Sequence, residues 1–176
     1  MSLRLWQLVP DLATVDALAE PWQKLYAHST VVATLVLFGH VAGLVVAAAL
    51  TFSTEASVLR LDPADDAERG RYLRITSPAR RPIGIALGVA MLSGILLFLA
   101  DLEAFAVSPV FWTKMLLVVL LLVNAAVASH LDARLLREAD VARAQDGLWR
   151  RRRVSAWTTA VLWFALVLSG SALASR

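Results

Sequence analysis

Residues 26–52 read YAHSTVVATLVLFGHVAGLVVAAALTF and contain no Asp, Glu, Lys or Arg over 27 positions. An α-helix rises about 1.5 Å per residue, so about 20 consecutive apolar residues cross the hydrocarbon core of a bilayer. This tract is long enough for that crossing. It therefore predicts a transmembrane helix.

Three further tracts have the same character. Residues 83–100 and 154–174 carry no Asp, Glu, Lys or Arg, and residues 110–130 carry only Lys114 among their acidic and basic positions. Each is long enough to span the bilayer as a helix. The sequence therefore predicts an all-α integral membrane fold, with four transmembrane helices in an antiparallel bundle over residues 26–176.

The composition agrees with a membrane protein and excludes several kinds of site. The 176 residues are 59% apolar and 18% charged, whereas average soluble domains are about 45–50% apolar and about 25% charged. The chain has no cysteine, which excludes disulfides, thiolate metal sites and a cysteine nucleophile. No Asp or Glu falls inside the four tracts, so a proton relay or cation site at membrane depth has no evident carrier.

Arginine is concentrated in two of the connections between tracts. Residues 53–82 hold six arginines and residues 131–153 hold seven, whereas residues 101–109 hold none. Basic residues favour the cytoplasmic side, so we expect both long connections in the cytoplasm and both termini in the periplasm of a bacterial inner membrane. We also expect arginines that border the tracts to contact anionic lipid headgroups rather than nucleic acid. These anchors are Arg80, Arg81, Arg150, Arg151, Arg152 and Arg153.

Residues 1–25 form a separate periplasmic segment in this interpretation. They lack a basic region followed by an uninterrupted apolar core, so no cleavable signal peptide is evident. From Pro10 onward, apolar residues recur at near-helical spacing, at Leu12, Val15, Leu18 and Trp22. This pattern predicts a short amphipathic helix on the membrane surface. The alternative is an arm that docks on a partner subunit.

Small residues four positions apart predict how the helices associate. Lipid tails are as apolar as leucine, so helices in a bilayer join where small residues let their backbones approach, as in GxxxG motifs. The first tract has Gly39, Gly43 and Ala47 at this spacing; the second has Gly84 and Gly88 on one line and Ala86, Ala90 and Gly94 on another. We therefore expect the first two spans to pack tightly.

His40 is the sharpest candidate for a functional residue. A step of 100° per residue places it within about 20° of Ala47 and Thr51, on the small-residue face of its helix. One hypothesis is that His40 is an axial ligand to a b-type haem. The other is that its imidazole donates a hydrogen bond to a backbone carbonyl or to Asn124.

The haem hypothesis lacks an obvious second ligand within the chain. His28 lies at the opposite surface from His130, and His130 is about 15 Å from His40 in depth at about 1.5 Å per residue. A second chain could supply a histidine at matching depth. His130 with Arg80 and Arg81 could form a pocket for an anionic headgroup or a haem propionate, or His130 could simply cap the third span.

Lys114 lies one turn inside the outer end of the third span, where its side chain can reach the membrane surface. Asp101 and Glu103 follow the end of the second span. We expect an interfacial ion pair between Lys114 and one of these carboxylates. A site for a lipid headgroup or a substrate anion is the alternative.

Motifs in the second and third tracts resemble a known group of proteins. They are Ser93-Gly94, Leu96-Leu97-Phe98, Ser108-Pro109, Phe111, Lys114 and Asn124. Their order, over about residues 30–135, resembles uncharacterised bacterial four-helix inner-membrane proteins and, more distantly, the copper-resistance D (CopD) family. In that family a lysine near the start of a helix precedes an asparagine near its end. The resemblance implies a redox or metal role, yet this chain has only Met1, Met91 and Met115 as thioether ligands for Cu(I).

Two hypotheses for the function follow. The first is a non-catalytic accessory subunit that packs against a larger bacterial respiratory or photosynthetic membrane complex, because the spans carry few polar groups. The second is a b-type haem protein that transfers electrons through His40, with copper handling as a further alternative from the resemblance. An enzyme has the least support, because no nucleophile–base pair or pair of carboxylates occurs at one depth.

Overall fold

The computed structural model describes residues 10–62, 65–137 and 142–174. Over these residues the chain forms six α-helices and no strand. They are α1 (Pro10–His28), α2 (Thr30–Arg60), α3 (Asp66–Ala100), α4 (Leu102–Ala106), α5 (Pro109–Arg137) and α6 (Ala142–Ala174). The prediction of an all-α fold is confirmed.

Four segments of these helices are long and apolar enough to cross a membrane: Thr30–Arg60, Pro78–Ala100, Pro109–Arg137 and Asp146–Ser171. They correspond one to one with the four charge-poor tracts of the sequence. Large apolar side chains in all four are exposed, among them Phe38, Leu92, Leu116 and Leu168, as expected where lipid is the solvent. The chain is therefore an integral, multi-pass membrane protein.

The helices extend well beyond the charge-free tracts. α2 continues to Arg60 and α5 to Arg137, so Glu55 and Asp132 lie on spanning helices. α3 begins at Asp66 and passes through Pro78 and Pro82 without a break. Proline removes one backbone donor and often kinks or breaks a helix in a soluble protein, but membrane-spanning helices tolerate it.

The N-terminal helix also differs from its predicted extent. α1 runs through Pro21 as far as His28, and Ser29 separates it from α2. The indole Nε1 of Trp22 donates a hydrogen bond to the carbonyl of Leu96 at 2.9 Å. This bond attaches α1 to the end of α3, while Leu18 on α1 is 77% exposed.

The described residues divide into two compact units. The first takes the described residues up to Val45 together with Ala86–Ser108. In it, Gly43 of α2 lies close to the backbone of Ala86 and Ala90 of α3, where a Cβ on Gly43 would lie 2.9 Å from the Ala86 oxygen and 2.9 Å from the Ala90 nitrogen. A Cβ at Gly88 would meet nothing within 4 Å. The line of Ala86 and Ala90 therefore faces α2.

The second unit takes Val46–Ile85 and the described residues from Pro109 onward. Within it α5 and α6 pack along one another. Its hydrophobic core lies near the ends of α2 and α5 and the beginnings of α3 and α6, where the Tyr72 and Trp149 rings meet edge to face with centroids 5.6 Å apart. The core residues are Val58, Leu61, Tyr72, Leu131, Leu135, Leu148, Trp149 and Ala156.

Candidate functional site

His40 lies at the contact of α2 and α3 in the first unit. Its Nδ1 is 2.9 Å from the carbonyl oxygen of Ala90. A carbonyl oxygen only accepts, so Nδ1 donates and the lone pair of the neutral ring is on Nε2. The Ser93 hydroxyl lies 3.4 Å from the same Nδ1 and donates to the Val89 carbonyl at 2.6 Å.

Gly94 makes room for this imidazole. A Cβ at Gly94 would lie 3.1 Å from Cε1 of His40, which is closer than ordinary van der Waals contact. The glycine therefore admits the histidine ring to the helix contact. We considered two hydrogen-bond acceptors for His40, a backbone carbonyl and Asn124. In the structure the acceptor is the backbone carbonyl of Ala90.

Asn124 is engaged elsewhere, between α5 and α6 of the second unit. Its amide nitrogen donates to the Ser155 carbonyl at 3.0 Å and to the Thr159 hydroxyl at 2.8 Å. Its amide oxygen accepts a hydrogen bond from the Ser155 hydroxyl at 3.1 Å. The polar edge of Asn124 is thus satisfied by α6.

An ion network surrounds Arg152, whose side chain is 3% exposed. Its two terminal nitrogens contact the two carboxylate oxygens of Glu55 at 2.6 and 3.2 Å. Its Nε donates to Oδ1 of Asp132 at 2.9 Å. One guanidinium from α6 therefore joins a carboxylate on α2 to a carboxylate on α5, with the bidentate geometry that favours arginine.

Asp132 has two further partners from α3. A terminal nitrogen of Arg80 lies 3.1 Å from its Oδ2, and the Tyr72 hydroxyl donates to its Oδ1 at 3.2 Å. Burial is the largest cause that raises the pKa of Tyr72 above its usual value, so the phenol stays neutral and acts as a donor. Two arginines and two carboxylates balance, which is the condition for burying charge at tolerable cost.

The position of Arg152 corrects one of our predictions. We expected it to contact lipid headgroups, but its guanidinium is enclosed by Glu55 and Asp132 and is not accessible to lipid. Arg150 and Arg151 are exposed and so remain available as anchors. Arg153 donates to the Leu61 carbonyl. Arg80 is 39% exposed as it pairs with Asp132, and Arg81 is exposed.

We did not predict the ion network from the sequence because both of its carboxylates, Glu55 and Asp132, lie just outside the apolar tracts. Glu55 is three residues beyond Phe52, and Asp132 is two beyond His130. A usable signal was present nonetheless: each carboxylate lies within one turn of a tract, at the end where the arginines accumulate. Because α2 and α5 continue past these tracts, Glu55 and Asp132 lie on helices and are buried between them.

The remaining candidates are His130, Lys114, Asp101 and Glu103. His130 is exposed. Lys114 is half-buried on α5 of the second unit, whereas Asp101 and Glu103 are exposed and belong to the first. An ion pair between Lys114 and either carboxylate stays a prediction.

A cavity of about 330 Å³ adjoins the network in the second unit. Six residues line it: Ser57, Arg60, Leu61, Glu68, Arg71 and Tyr72. Tyr72 therefore belongs to the cavity wall and, through its hydroxyl, to the ion network. Within the described ranges, no group of three or more His, Cys, Asp or Glu side chains is placed to hold a metal ion.

Comparisons with protein-family models, with curated proteins and with solved structures found no match for this chain.

Proposed function

We propose that this protein is a non-catalytic subunit of a larger membrane complex. The observation that carries the proposal is one face of α6. Along it, apolar side chains alternate at spacings of three and four residues, and every one is more than 60% exposed: Val154, Trp157, Val161, Phe164 and Leu168. Lipid can cover any exposed apolar face, but heptad-like spacing is the pattern by which one helix packs along another, so we assign this face, the seam, to a helix of a partner.

The interior polar groups support the same proposal. Asn124 is hydrogen-bonded to α6, and the charges of Glu55 and Asp132 are compensated by those of Arg152 and Arg80 within the unit. Groups that are already paired are poor carriers for a transported ion or a reacting substrate. The outward faces are then the surfaces through which the chain acts.

The test measures the mass of the complex that contains this chain. The tagged full chain is extracted from its native membranes in mild detergent, and the extract is analysed by native mass spectrometry. We expect a defined assembly larger than the 19.1 kDa chain. Val161→Trp places a large ring in the seam and is expected to release the chain from that assembly. Val119→Trp changes an exposed position on α5 and serves as the matched control.

Two results would contradict this function. One is a chain that migrates alone, or only with further copies of itself, after gentle extraction. The other is equal loss of the assembly in Val161→Trp and Val119→Trp.

A b-type haem protein is the second candidate, supported by the orientation of His40. The bond between Nδ1 and the Ala90 carbonyl fixes the orientation of the ring, as a backbone carbonyl commonly does for ligating histidines. The second ligand would come from another chain at the same depth. A Soret band in the purified, haem-supplied protein that disappears in His40→Ala would support this function. Absence of any band would remove it.

We further propose that the membrane is a bacterial inner membrane, with both long connections cytoplasmic. The arginines of those connections support this orientation. The chain has no cysteine, so single cysteines can report sidedness directly. Gly147→Cys is expected to react only with a membrane-permeant maleimide in intact cells. Val107→Cys is expected to react with the impermeant reagent as well.

A further inference from the structure

The cavity beside Tyr72 has an excess of positive charge. Arg60 and Arg71 supply two guanidinium groups to its lining, and Glu68 is the one carboxylate among the six lining residues. Glu68 is partly committed elsewhere, because it accepts the Asp62 backbone N–H at 2.9 Å and contacts Arg71 at 3.4 Å. The lining therefore suits a group with a single negative charge.

The rest of the lining is an uncharged, rigid wall. The Ser57 hydroxyl donates to the Ser53 carbonyl at 3.0 Å, and Tyr72 is held in place by its bond to Asp132 at 3.2 Å. Arginine binds phosphate oxygens in a planar, bidentate manner. A phosphate ester therefore matches the two guanidinium groups of the lining.

One exposed stripe of α2 leads to the cavity. Its residues are three or four positions apart and change from apolar to polar to basic along the helix: Val46, Ala49, Ser53, Ser57 and Arg60. All five are exposed. A bilayer changes in the same order, from acyl chains through glycerol esters to phosphate. The small side chains of Ala49, Ser53 and Ser57 leave space beside the helix.

We propose that this cavity binds the phosphate of an anionic phospholipid, with one acyl chain along the exposed stripe of α2. Arg60 and Arg71 hold the phosphate oxygens, and Ser57 lies at the level of the glycerol. Arg60 is the last residue of α2, at the end of a membrane span, where a headgroup is present. The apolar half of the stripe distinguishes a lipid from free phosphate, since a soluble ion would make no use of it.

The experiment measures lipid retention by native mass spectrometry on the full chain in detergent. The probes are phosphatidylglycerol and phosphatidylcholine with identical acyl chains. We expect the wild-type chain to retain one phosphatidylglycerol in preference to phosphatidylcholine. Losing two headgroup-binding arginines weakens such binding by about thirtyfold, so Arg60→Gln with Arg71→Gln is expected to abolish the preference.

Two further variants separate the cavity from general charge. Arg74→Gln with Arg137→Gln removes the same charge at exposed positions outside the cavity and should retain the lipid. Ser57→Phe fills the cavity without changing its charge and should release the lipid. Circular dichroism and the melting midpoint show that each variant is folded.

Three outcomes would overturn the proposal. The first is undiminished preference for phosphatidylglycerol in the Arg60 and Arg71 double variant. The second is equal loss in the Arg74 and Arg137 control, which would show a general charge effect. The third is displacement of the lipid by millimolar glycerol 3-phosphate or inorganic phosphate, which would show a site for a soluble phosphate.

Discussion

In the first unit, a methyl group added to Gly43 would lie 2.9 Å from backbone atoms of the neighbouring helix; in the second unit, a guanidinium joins carboxylates from two other helices. The first contact depends on the absence of side-chain atoms, and the second depends on long side chains with matched charge. Close backbone approach is the usual means of joining helices in lipid, where burial of apolar surface gives little driving force. The ion network has a different requirement: each buried charge must keep a partner of opposite charge.

The largest expected effect comes from breaking the network at its centre. Arg152→Met leaves Glu55 with no guanidinium partner among the residues that the structure describes and deprives Asp132 of one of its two. Removing one member of a buried ion pair costs about 3–5 kcal/mol, so we expect a loss of that size in the free energy of unfolding, measured by denaturant titration in detergent. Arg151→Met, at an exposed neighbour, should change it by less than about 0.5 kcal/mol.

A double variant sharpens this prediction. Glu55→Gln combined with Arg152→Met leaves Asp132 paired with Arg80 and restores the charge balance. We expect it to be more stable than Arg152→Met alone. Equal instability of the single and double variants would show that packing around Arg152, rather than uncompensated charge, causes the loss.

Gly43→Ala tests the corresponding contact in the first unit. Its Cβ would meet the backbone of Ala86 and Ala90, which cannot move aside as a flexible side chain can. Overpacking of this kind costs about 1–3 kcal/mol. Gly88→Ala on α3 is the control, because its Cβ would meet nothing within 4 Å and alanine favours a helix by about 0.5–1 kcal/mol. A stable Gly43→Ala protein would show that the close approach contributes little.

The pH dependence of stability tests the burial of Tyr72. The folded protein holds its phenol neutral with a raised pKa, whereas the unfolded chain releases that proton near pH 10. The contribution of Tyr72 is therefore complete below pH 10 and decreases as the pH rises above it. By linkage, the wild-type protein should lose about 1.4 kcal/mol more than Tyr72→Phe between pH 9 and pH 11. Parallel curves for the two proteins would contradict this.

Asn124→Leu removes a neutral polar contact of the second unit. Its amide bonds to Ser155 and Thr159 are of the interhelical kind that contributes about 0.6 kcal/mol, and at most about 1.7 kcal/mol, in membrane proteins. We expect a loss within that range in detergent unfolding. Val123→Leu, at an exposed position on the same helix, is the control. A loss as large as that of Arg152→Met would be inconsistent with a purely local contact.

The smallest effect is expected at Trp163. Its side chain is buried, and its Nε1 has no hydrogen-bond partner among the residues that the structure describes. Trp163→Phe removes an unsatisfied donor, which offsets the lost ring volume, so the melting midpoint should hardly change. Trp22→Phe in the first unit removes a satisfied donor to Leu96 and should cost about 1 kcal/mol. The reverse order would contradict this assignment of donors.

The four spans could be predicted because each depends only on the length of an apolar tract, a property of consecutive residues. A hydrogen bond from His40 to a backbone carbonyl could be predicted. The residue that accepts it, Ala90, could not, because it depends on the rotation of α3 about its axis. The same rotation determines that Ala86 and Ala90, rather than Gly88, face α2. The sequence alone does not distinguish these two rows, because both consist of small residues. The pairing of Glu55 with Arg152 could not be predicted, because the two residues are 97 positions apart and come together only when the helices pack.

The separation of the network's members along the chain also has a consequence for biosynthesis. Asp132 and Arg152 are 20 positions apart, within one pair of adjacent helices, so their charges can neutralise each other as that pair enters the bilayer. Glu55 is translated long before Arg152 and lacks that partner while α2 is inserted. A carboxylate near the hydrocarbon region is costly until a partner compensates its charge. A chain whose synthesis stops before α6 would therefore have Glu55 without the guanidinium that pairs with it in the folded protein.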